Sequence, residues 1–473
     1  MKSGRKRMGL GIALCAIASL LGSNAVFAEE SAADAAKSLW DKAGFQISGT
    51  VLASYTQNFG NPQTNNNQLR IFDTAANSFQ ANMAQLVFER VANASGIGAD
   101  RVGFRARINF GQDAQFSRAR TNFQPGTVNN ELDVQELYAE YIAPVGNGLK
   151  IQFGKINTLI GYEVINAWEN PNFSRSFMFG LSQAFTTTGI RFTYPFAKWA
   201  TASIGLVNGW DNVMDNNRGK TFEYLVSLTP HEKFGIQFFG SYGPEQPNGN
   251  AADFAVGATA QAGACVRGNP GCDPTAKRTV AGAIITVKPT AMDTVVFEPY
   301  YANEGNVSGY TLANQPGAPG NLGGNGAGIN PANANGSHNG RWNGFITYYT
   351  HDFNDQQMPN AFSLRVRAEI WEDAGGSRGC AGNPNLTGGA NSCAGTPNAG
   401  AFNGGVTSAI GAQPIGTPQT DWETTYTLQW KPVPALQTRV EYRYDHSNKN
   451  NFIRGDTATN NQSTLGFSVA YMF

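Results

Sequence analysis

The amino-acid sequence predicts an all-β fold, a transmembrane antiparallel β-barrel of about 16 strands with short periplasmic turns and long extracellular loops. Three observations lead to this prediction. Apolar and polar residues alternate in many segments, short and long connections alternate between these segments, and no run of 18 or more apolar residues follows residue 28. The composition agrees, because 55 Gly, 30 Phe and 16 Tyr with only 14% charged residues are typical of a β protein with many turns.

Residues 1–28 have the pattern of a secretion signal peptide. Basic residues between Lys2 and Arg7 precede an apolar core at 10–21, and small residues end the segment before Glu29. The core is too short to span a bilayer as an anchor. We therefore expect removal of residues 1–28 after Sec-type export, a short periplasmic segment at 29–44 and a barrel domain at 45–473.

The charge of the exported chain argues against one class of partner. Loss of residues 1–28 removes four of the 34 basic residues and leaves 30 against 34 acidic residues, a net charge of −4. A nucleic-acid-binding protein would need a strongly basic face. We therefore expect no nucleic acid partner.

Four cysteines remain after the signal, in two of the longest predicted loops. They are Cys265, Cys272, Cys380 and Cys393. An even number in an exported protein predicts disulfides, and pairing sequence neighbours would close two short loops, although four cysteines allow three pairings. No histidine lies near either pair in the sequence, so we expect neither a metal site nor a cofactor.

The alternating segments follow one another from residue 45 to the end of the sequence. The clearest is 101–110, in which Val102, Phe104 and Ile108 alternate with Arg105 and Arg107. In a soluble sandwich the apolar face would be the core, whereas in a membrane barrel it would face lipid and the arginines would line a wet lumen. The predicted strands are 45–59, 82–91, 101–110, 133–143, 149–156, 187–196, 199–210, 221–229, 234–242, 279–287, 294–302, 342–350, 361–371, 422–430, 436–445 and 462–473.

The connections distinguish the two folds. Every second connection is short, as at 144–148 and 431–435, whereas the others are long and polar, as at 60–79 and 303–341. Outer-membrane barrels have this pattern because their short turns lie on the periplasmic side. We also expect aromatic residues at strand ends to lie at the two lipid–water boundaries. They include Trp199, Trp210, Trp342, Trp371, Trp422, Trp430 and Tyr300.

The segment 462–473 reads as a strand with an edge that needs a partner. Leu465, Phe467 and Tyr471 alternate with small or polar residues, and an unpaired strand edge is a liability. We predict that this strand closes the barrel by pairing with the strand at 45–59. The final Phe473 resembles the aromatic C-terminal signal by which the barrel-assembly machinery of bacteria recognises its substrates.

The polar faces of the predicted strands define candidate channel-lining residues. Their charges nearly balance, so we expect weak ion selectivity that is set by local arrangement. Most of the arginines come from the strands at 361–371, 436–445 and 101–110, which form one arc once the barrel closes. The candidates are Arg105, Arg107, Glu136, Glu140, Lys150, Arg191, Arg365, Arg367, Glu369, Arg439, Glu441 and Arg443.

The connection 158–186 is too apolar for a loop in water. We predict that it folds into the barrel mouth and narrows the pore. Its constriction residues would be Tyr162, Glu163, Glu169 and Arg175. The acidic residues would face the arginine arc and create a transverse field that orients polar solutes. The alternative is that these arginines pair with neighbouring glutamates and stiffen the wall.

Four segments carry a more specific resemblance. GKINTLIGYEVINAWENPNFSRSF stands at 154–177 and TTTGIRFTYPF at 186–196, with ELYAEYIAP at 136–144 and EYRYDHS at 441–447. Together they resemble the OmpL-like β-barrel porin family of bacterial outer membranes. The resemblance covers nearly all of the chain after residue 44. It implies a porin of a Gram-negative outer membrane, a water-filled channel for passive diffusion of small hydrophilic solutes or ions, with no catalytic residues to carry over.

Several alternatives compete with a general porin. A substrate-selective channel would have the same fold, and an outer-membrane barrel enzyme would need a histidine beside a serine or an acid. The four histidines are His231, His338, His351 and His446, and only His446 follows an acid directly. A soluble secreted adhesin would lack detergent dependence, and a siderophore-type transporter would need a plug domain. We expect lipid, lipopolysaccharide and the assembly machinery as partners, and a homotrimer by analogy with porins of this size.

Overall fold

The computed structural model describes residues 44–119, 131–215, 217–245, 275–307, 338–354, 359–374, 378 and 418–473. Within these residues, sixteen antiparallel strands form one closed barrel and two short strands form a separate hairpin. The strands are β1 (Phe45–Asn58), β2 (Ser78–Arg90), β3 (Val102–Phe110), β4 (Leu132–Ala143), β5 (Leu149–Asn157), β6 (Thr186–Ala197), β7 (Ala200–Val207), β8 (Thr221–His231), β9 (Phe234–Pro244), β10 (Lys277–Val287), β11 (Asp293–Val307), β12 (His338–Asn354), β13 (Pro359–Asp373), β14 (Gln419–Val433), β15 (Leu436–Ser447), β16 (Phe452–Arg454), β17 (Thr457–Thr459) and β18 (Asn461–Met472). The predicted all-β barrel of 16 strands is confirmed.

Helical structure is confined to short pieces. The described residues contain α1 (Ala114–Ser117), α2 (Phe177–Ser182) and two 3₁₀ turns, Gly98–Arg101 and Ala167–Glu169. In the part of the chain that the structure describes, no helix is long and apolar enough to cross a membrane.

The barrel closes where β1 pairs with β18, as predicted. Val51 lies opposite Tyr471, and Gly49 and Phe473 exchange two backbone hydrogen bonds of 3.0 Å. The alternation along β18 has the predicted sense, because Phe467 is 47% exposed on the outer face and Ser468 is 4% exposed on the inner face. Each barrel strand is thus paired on both sides, and no edge is left in the ring.

The alternation of short and long connections is also confirmed. Two residues join β6 to β7 and two join β8 to β9, whereas residues 59–77 join β1 to β2 and residues 158–185 join β5 to β6. The short turns therefore lie at one rim, the periplasmic side of such barrels. We call residues 59–77 the first loop and residues 158–185 the inner loop.

Several predicted boundaries were wrong. β2 begins at Ser78 rather than residue 82, and β11 to β14 extend further towards the long loops. The alternation of apolar and polar residues did not reveal these extensions, because strand residues beyond the lipid band need no apolar outer face. β7 ends at Val207 rather than residue 210, and the backbone N–H of Trp210 donates to Glu245 Oε2 at 2.7 Å. The β16–β17 hairpin was missed, because strands of three residues are too short to show a period of two.

The expected aromatic boundary residues divide between the two faces. Trp199, Trp422 and Trp430 are exposed on the outer wall, as predicted. The prediction was wrong for four others, which are buried. Their side chains point inward because of their strand register or their position in a loop. These are Trp210, Trp342, Trp371 and Tyr300.

The hydrophobic core of the described chain lies inside the barrel. Phe177, Met178 and Phe185 of the inner loop pack in one cluster with Phe72 of the first loop and Phe116 of α1. Inward apolar side chains of the wall complete the cluster. They include Phe239, Val280, Val296, Trp342, Ile346 and Trp371. The apolar outer face of the wall meets lipid and packs against no other part of the chain. The buried apolar cluster therefore lies on the inner side of the wall.

Candidate functional site

The inner loop lies against the inner face of the barrel wall, and its base is closed by one backbone hydrogen bond. Thr158 donates its N–H to the carbonyl of Phe185 at 3.1 Å. Inside the loop, Ser176 caps α2, because its hydroxyl accepts the N–H of Phe179 at 3.0 Å. The loop therefore enters and leaves the lumen at one point between β5 and β6.

Three arginines of the wall hold the inner loop by its backbone. Arg439 donates to the carbonyls of Ala167 at 2.8 Å and Asn170 at 2.6 Å. Arg443 donates to the carbonyl of Arg175 at 2.5 Å. These guanidinium groups therefore act as clamps on the loop, because a charged donor strengthens each bond to a carbonyl.

Arg367 makes the most extensive of these contacts. Its Nη1 donates to Glu163 Oε1 at 2.7 Å and to the carbonyl of Ser174 at 2.6 Å, and its Nε donates to Glu423 Oε1 at 2.5 Å. The other oxygen of Glu163 accepts the N–H and the hydroxyl of Ser176, both at 2.8 Å. One arginine thus joins β13, β14 and two points of the inner loop.

Three wall glutamates complement the clamps by accepting from the loop. Glu441 accepts the N–H groups of Phe173 at 2.6 Å and Ser174 at 2.9 Å. Glu369 accepts those of Phe177 at 2.7 Å and Met178 at 2.6 Å, at the start of α2, where a helix dipole favours negative charge. Glu298 accepts from the N–H of Tyr162 at 3.2 Å and from Gln183 Nε2 at 2.8 Å.

The end of α2 is fixed by aromatic side chains of the wall. Trp371 Nε1 donates to the hydroxyl of Ser182 at 2.6 Å. The backbone carbonyl of Ser182 accepts from Trp342 Nε1 at 3.4 Å and from the Tyr300 hydroxyl. These inward aromatic residues therefore serve the loop, not the lipid boundary for which the sequence suggested them.

The first loop adds a second inward segment that the sequence analysis missed. Arg70 pairs with Asp73 of its own loop and with Asp445 of β15 at 2.5 Å, and its side chain is only 1% exposed. Phe72 lies under the guanidinium of Arg175, whose Cζ is 4.3 Å from the ring centroid. The one available signal was the short apolar group Leu69, Ile71 and Phe72 inside a polar connection.

A buried acid–base contact joins α1 to the inner loop. Asp113 Oδ2 lies 3.8 Å from Arg175 Nη2, and Asp113 Oδ1 accepts from Asn82 Nδ2 at 3.2 Å. Burial raises the pKa of the Asp113 carboxyl to about 7, although Arg175 acts in the opposite direction. Burial also lowers the pKa of the Arg175 guanidinium.

The wall formed by β2 to β8 carries the other predicted lumen residues, mostly as ion pairs. Arg105 Nη2 lies 2.5 Å from Glu89, Arg107 Nε lies 3.3 Å from Glu136, and Arg191 Nη2 lies 2.8 Å from Glu223. Glu140 and Lys150 are half-buried at inward positions of β4 and β5. This wall therefore presents little net charge.

Of the predicted constriction residues, Glu163 and Arg175 are buried in contacts that fix the loop, Tyr162 is half-buried, and Glu169 is exposed and accepts from Asn166 Nδ2 at 2.6 Å. The acidic loop and the arginine arc are therefore in direct contact at Glu163, where a field across open space was predicted. Whether these side chains meet a passing solute stays a prediction.

Some predicted sites fall in segments that the structure does not describe. Cys265, Cys272, Cys380, Cys393 and residues 1–43 lie outside the described residues. Within the described ranges, no group of three or more His, Cys, Asp or Glu side chains is arranged to hold a metal ion.

Comparison with known structures agrees with the barrel fold. The chain resembles the outer membrane channel DcaP of Acinetobacter baumannii, with a TM-score of 0.51 and 10% identity over 91% of this chain and 97% of that one. It also resembles an anion-selective porin from Comamonas acidovorans, with a TM-score of 0.48 and 7% identity over 91% and 99%. A trimer form of OmpT, an outer membrane protein of Vibrio cholerae, matches with a TM-score of 0.46 and 10% identity over 91% and 99%. At 10% identity the likeness to DcaP shows the fold alone.

The family comparison goes further than the fold. No curated protein sequence matches the chain. The family model described as "Putative beta-barrel porin-2, OmpL-like" matches residues 44–473, which is all of the predicted barrel domain. With its closed barrel and inward polar wall, the chain belongs to this family of outer-membrane β-barrel porins.

Proposed function

We propose that the barrel conducts small hydrophilic solutes and ions by passive diffusion, and that the inner loop sets the width of the pore. The observation that carries this proposal is the fixation of the inner loop at several levels of the wall, from Arg439 through Arg367 to Trp371. A segment held in this way would narrow the lumen without closing it as a separate plug domain would.

A channel rather than an enzyme is also part of the proposal. The one histidine that follows an acid in the sequence is His446, but Asp445 pairs with Arg70 and Arg443 on the inner face. His351 contacts Asp293 at 2.8 Å, yet Tyr349 and Thr290 engage the same carboxylate at the periplasmic strand ends. Neither arrangement offers a nucleophile with a base that is held by an acid.

We further propose that residues 1–28 are removed on export, that the assembly machinery inserts the barrel among lipid and lipopolysaccharide, and that the protein forms a homotrimer. The apolar outer wall supports contact with lipid, since Leu206, Phe345 and Tyr426 are each more than 40% exposed. Crosslinking of the protein in native outer-membrane fragments would test the oligomer.

Planar-bilayer recording tests the central proposal. Purified protein should produce discrete conductance steps in KCl, and neutral sugars of increasing size should reduce the current until they no longer enter. A variant in which residues 160–183 are replaced by a short polar turn should show larger steps and admit larger sugars. Heat-modifiable migration on a gel would establish that this variant is folded. Absence of steps in the wild type would overturn the channel, and an unchanged sugar cut-off in the folded variant would overturn the role of the inner loop.

A further inference from the structure

The wall at the periplasmic ends of β13, β14 and β15 carries three basic side chains at inward positions, Arg365, Lys431 and Arg439. We call them the cationic patch. They surround Gln429, which lies opposite Arg439 on one side and Ser363 on the other. Arg439 Nε donates to Gln429 Oε1 at 3.0 Å, and Arg365 Nη2 donates to Ser363 Oγ at 3.1 Å.

The patch has fewer acids than bases. Arg365 pairs with Asp352 at 2.8 Å, but in the described chain neither Lys431 nor Arg439 forms an ion pair. The three basic groups lie on adjacent strands, because Arg439 is opposite Gln429 and Arg365 is opposite Thr427, and Lys431 and Thr427 are each two residues from Gln429. Glu441 lies two residues from Arg439 on the inner face of β15, and its two oxygens accept backbone N–H groups of the inner loop. The three basic groups therefore face two carboxylates, those of Asp352 and Glu441, and positive charge is in excess at this level of the wall.

Two donor groups of the patch make no hydrogen bond within the described residues. Arg365 Nε is buried and donates no hydrogen bond, and the ammonium group of Lys431 has no hydrogen-bond partner among the described residues. The bottom of the inner loop lies next to the patch, since Gln437 Nε2 is 3.4 Å from the carbonyl of Trp168. Trp168 itself is half-buried.

The rest of the lumen differs from the patch, because most other inward cations have acid partners. Such pairs are Arg105 with Glu89, Arg107 with Glu136, Lys155 with Asp133, Arg191 with Glu223 and Arg278 with Glu304. Lys150 on β5, on the opposite side of the barrel, also takes part in no ion pair of the described residues. Lys150 is thus an unpaired inward lysine far from the cationic patch, which makes it a matched control for Lys431.

We propose that the cationic patch is a binding subsite for small oxyanions, carboxylates or phosphates, on the periplasmic side of the inner loop. A guanidinium and an ammonium group beside amide donors match the several oxygens of such an anion, and the half-buried position reduces screening by water. The subsite would raise the local concentration of oxyanions and favour their passage over that of cations. This inference rests on the proposed function, since it requires that solutes reach the lumen.

Block of channel current tests the subsite. Chloride current through the wild type would be recorded while succinate, or in a second arm inorganic phosphate, is titrated on the periplasmic side. The arm with the lower half-blocking concentration identifies the preferred oxyanion. Lys431→Gln and Arg365→Gln should each raise the half-blocking concentration about fivefold, the change that ~1 kcal/mol of lost charge interaction gives. Lys431→Arg should retain block, and Lys150→Gln should leave it unchanged.

Each outcome decides the matter. Block that is weakened by the two patch variants and not by Lys150→Gln supports the subsite. Conductance without block by either oxyanion overturns it and leaves the porin function intact. An equal effect of Lys150→Gln also overturns it, because the effect would then come from the net charge of the lumen. If the wild type produces no conductance steps at all, the proposed function fails first, and the subsite fails with it.

Discussion

Arg367 and Glu163 form an ion pair of 2.7 Å inside the barrel although they are 204 positions apart in the chain. Both side chains are almost fully buried, and Arg367 also pairs with Glu423. The pair joins a wall strand to the narrowest predicted part of the lumen. Loss of this pair would therefore affect both the stability of the barrel and the position of the inner loop.

Arg367→Met should lower the free energy of unfolding by about 3–5 kcal/mol, because Glu163 would stay buried without its cation and Glu423 would keep only its 3.6 Å contact with Arg443. Urea unfolding of the barrel in lipid vesicles, followed by tryptophan fluorescence, measures the change. Arg341→Met is the control, since Arg341 lies 3.5 Å from Glu372 with both side chains well exposed, and such a pair contributes less than about 1 kcal/mol. Equal losses in the two variants would contradict the role of the buried pair.

The contact between Asp113 and Arg175 predicts a pH dependence. Burial raises the pKa of Asp113 from 3.8 to about 7, so between these values the native state holds a proton that the unfolded state has lost. The free energy of unfolding should therefore fall as pH rises from about 4 to about 7 and level off above that range. Arg175, Asn82 and Asp73 are the polar groups that face this carboxyl.

Asp113→Asn removes the titrating group and should flatten this pH dependence by about 1–3 kcal/mol between pH 5 and pH 8. Urea unfolding at both pH values in the wild type and the variant measures the difference. Asp100→Asn is the control, because Asp100 has a side chain that is 63% exposed in a periplasmic turn. The prediction is wrong if the wild type is equally stable at both pH values or if both variants behave alike.

The first loop should contribute to the core inside the barrel through Phe72. This side chain is 1% exposed and its ring lies 5.7 Å from that of Phe185 and 6.1 Å from that of Phe116. Phe72→Ala would leave a cavity and remove the ring under Arg175, at a cost of about 3–5 kcal/mol in unfolding free energy.

The same variant should loosen the inner loop, which would appear as larger current noise in single-channel recordings. Phe79→Ala is matched in size and lies close in sequence, but Phe79 is 83% exposed on the outer wall. A loss of stability for Phe79→Ala as large as that for Phe72→Ala would show that Phe72 owes its effect to something other than burial inside the barrel.

The strands were predictable because two solvents act on them. Lipid outside and water inside impose a period of two, and this period was visible in segments such as Val102–Phe110. The inward course of the inner loop was predictable for a related reason, since an apolar run such as that around Phe177 has no place in water. In both cases the signal is local in the sequence.

The contacts that fix the loop were not predictable, because their signal is not local. Alternation places Arg367, Arg439 and Arg443 on the inner face, but it does not reveal that backbone carbonyls of the loop occupy them. The burial of Arg70 depends on Asp445, which lies 375 positions away. Such pairings are set by how the closed barrel brings distant strands to one loop, and a single sequence does not contain that geometry.

The seam of the barrel separates stability from assembly. Gly49 exchanges two backbone hydrogen bonds with Phe473, and a Cβ at Gly49 would overlap the Phe473 ring and come within 2.7 Å of the carbonyl oxygen of Gln85. Gly49→Ala should therefore destabilise the inserted barrel by about 1–3 kcal/mol through overpacking, while it keeps the aromatic end of the chain.

Deletion of Phe473 should instead lower the yield of inserted protein more than the stability of the fraction that inserts, because the end would no longer present its aromatic residue to the assembly machinery. Quantifying protein in outer-membrane fragments and urea unfolding of that protein, for both variants, separates the two effects. If deletion of Phe473 lowers stability and yield in the same proportion as Gly49→Ala, Phe473 acts only as a packing residue of the seam.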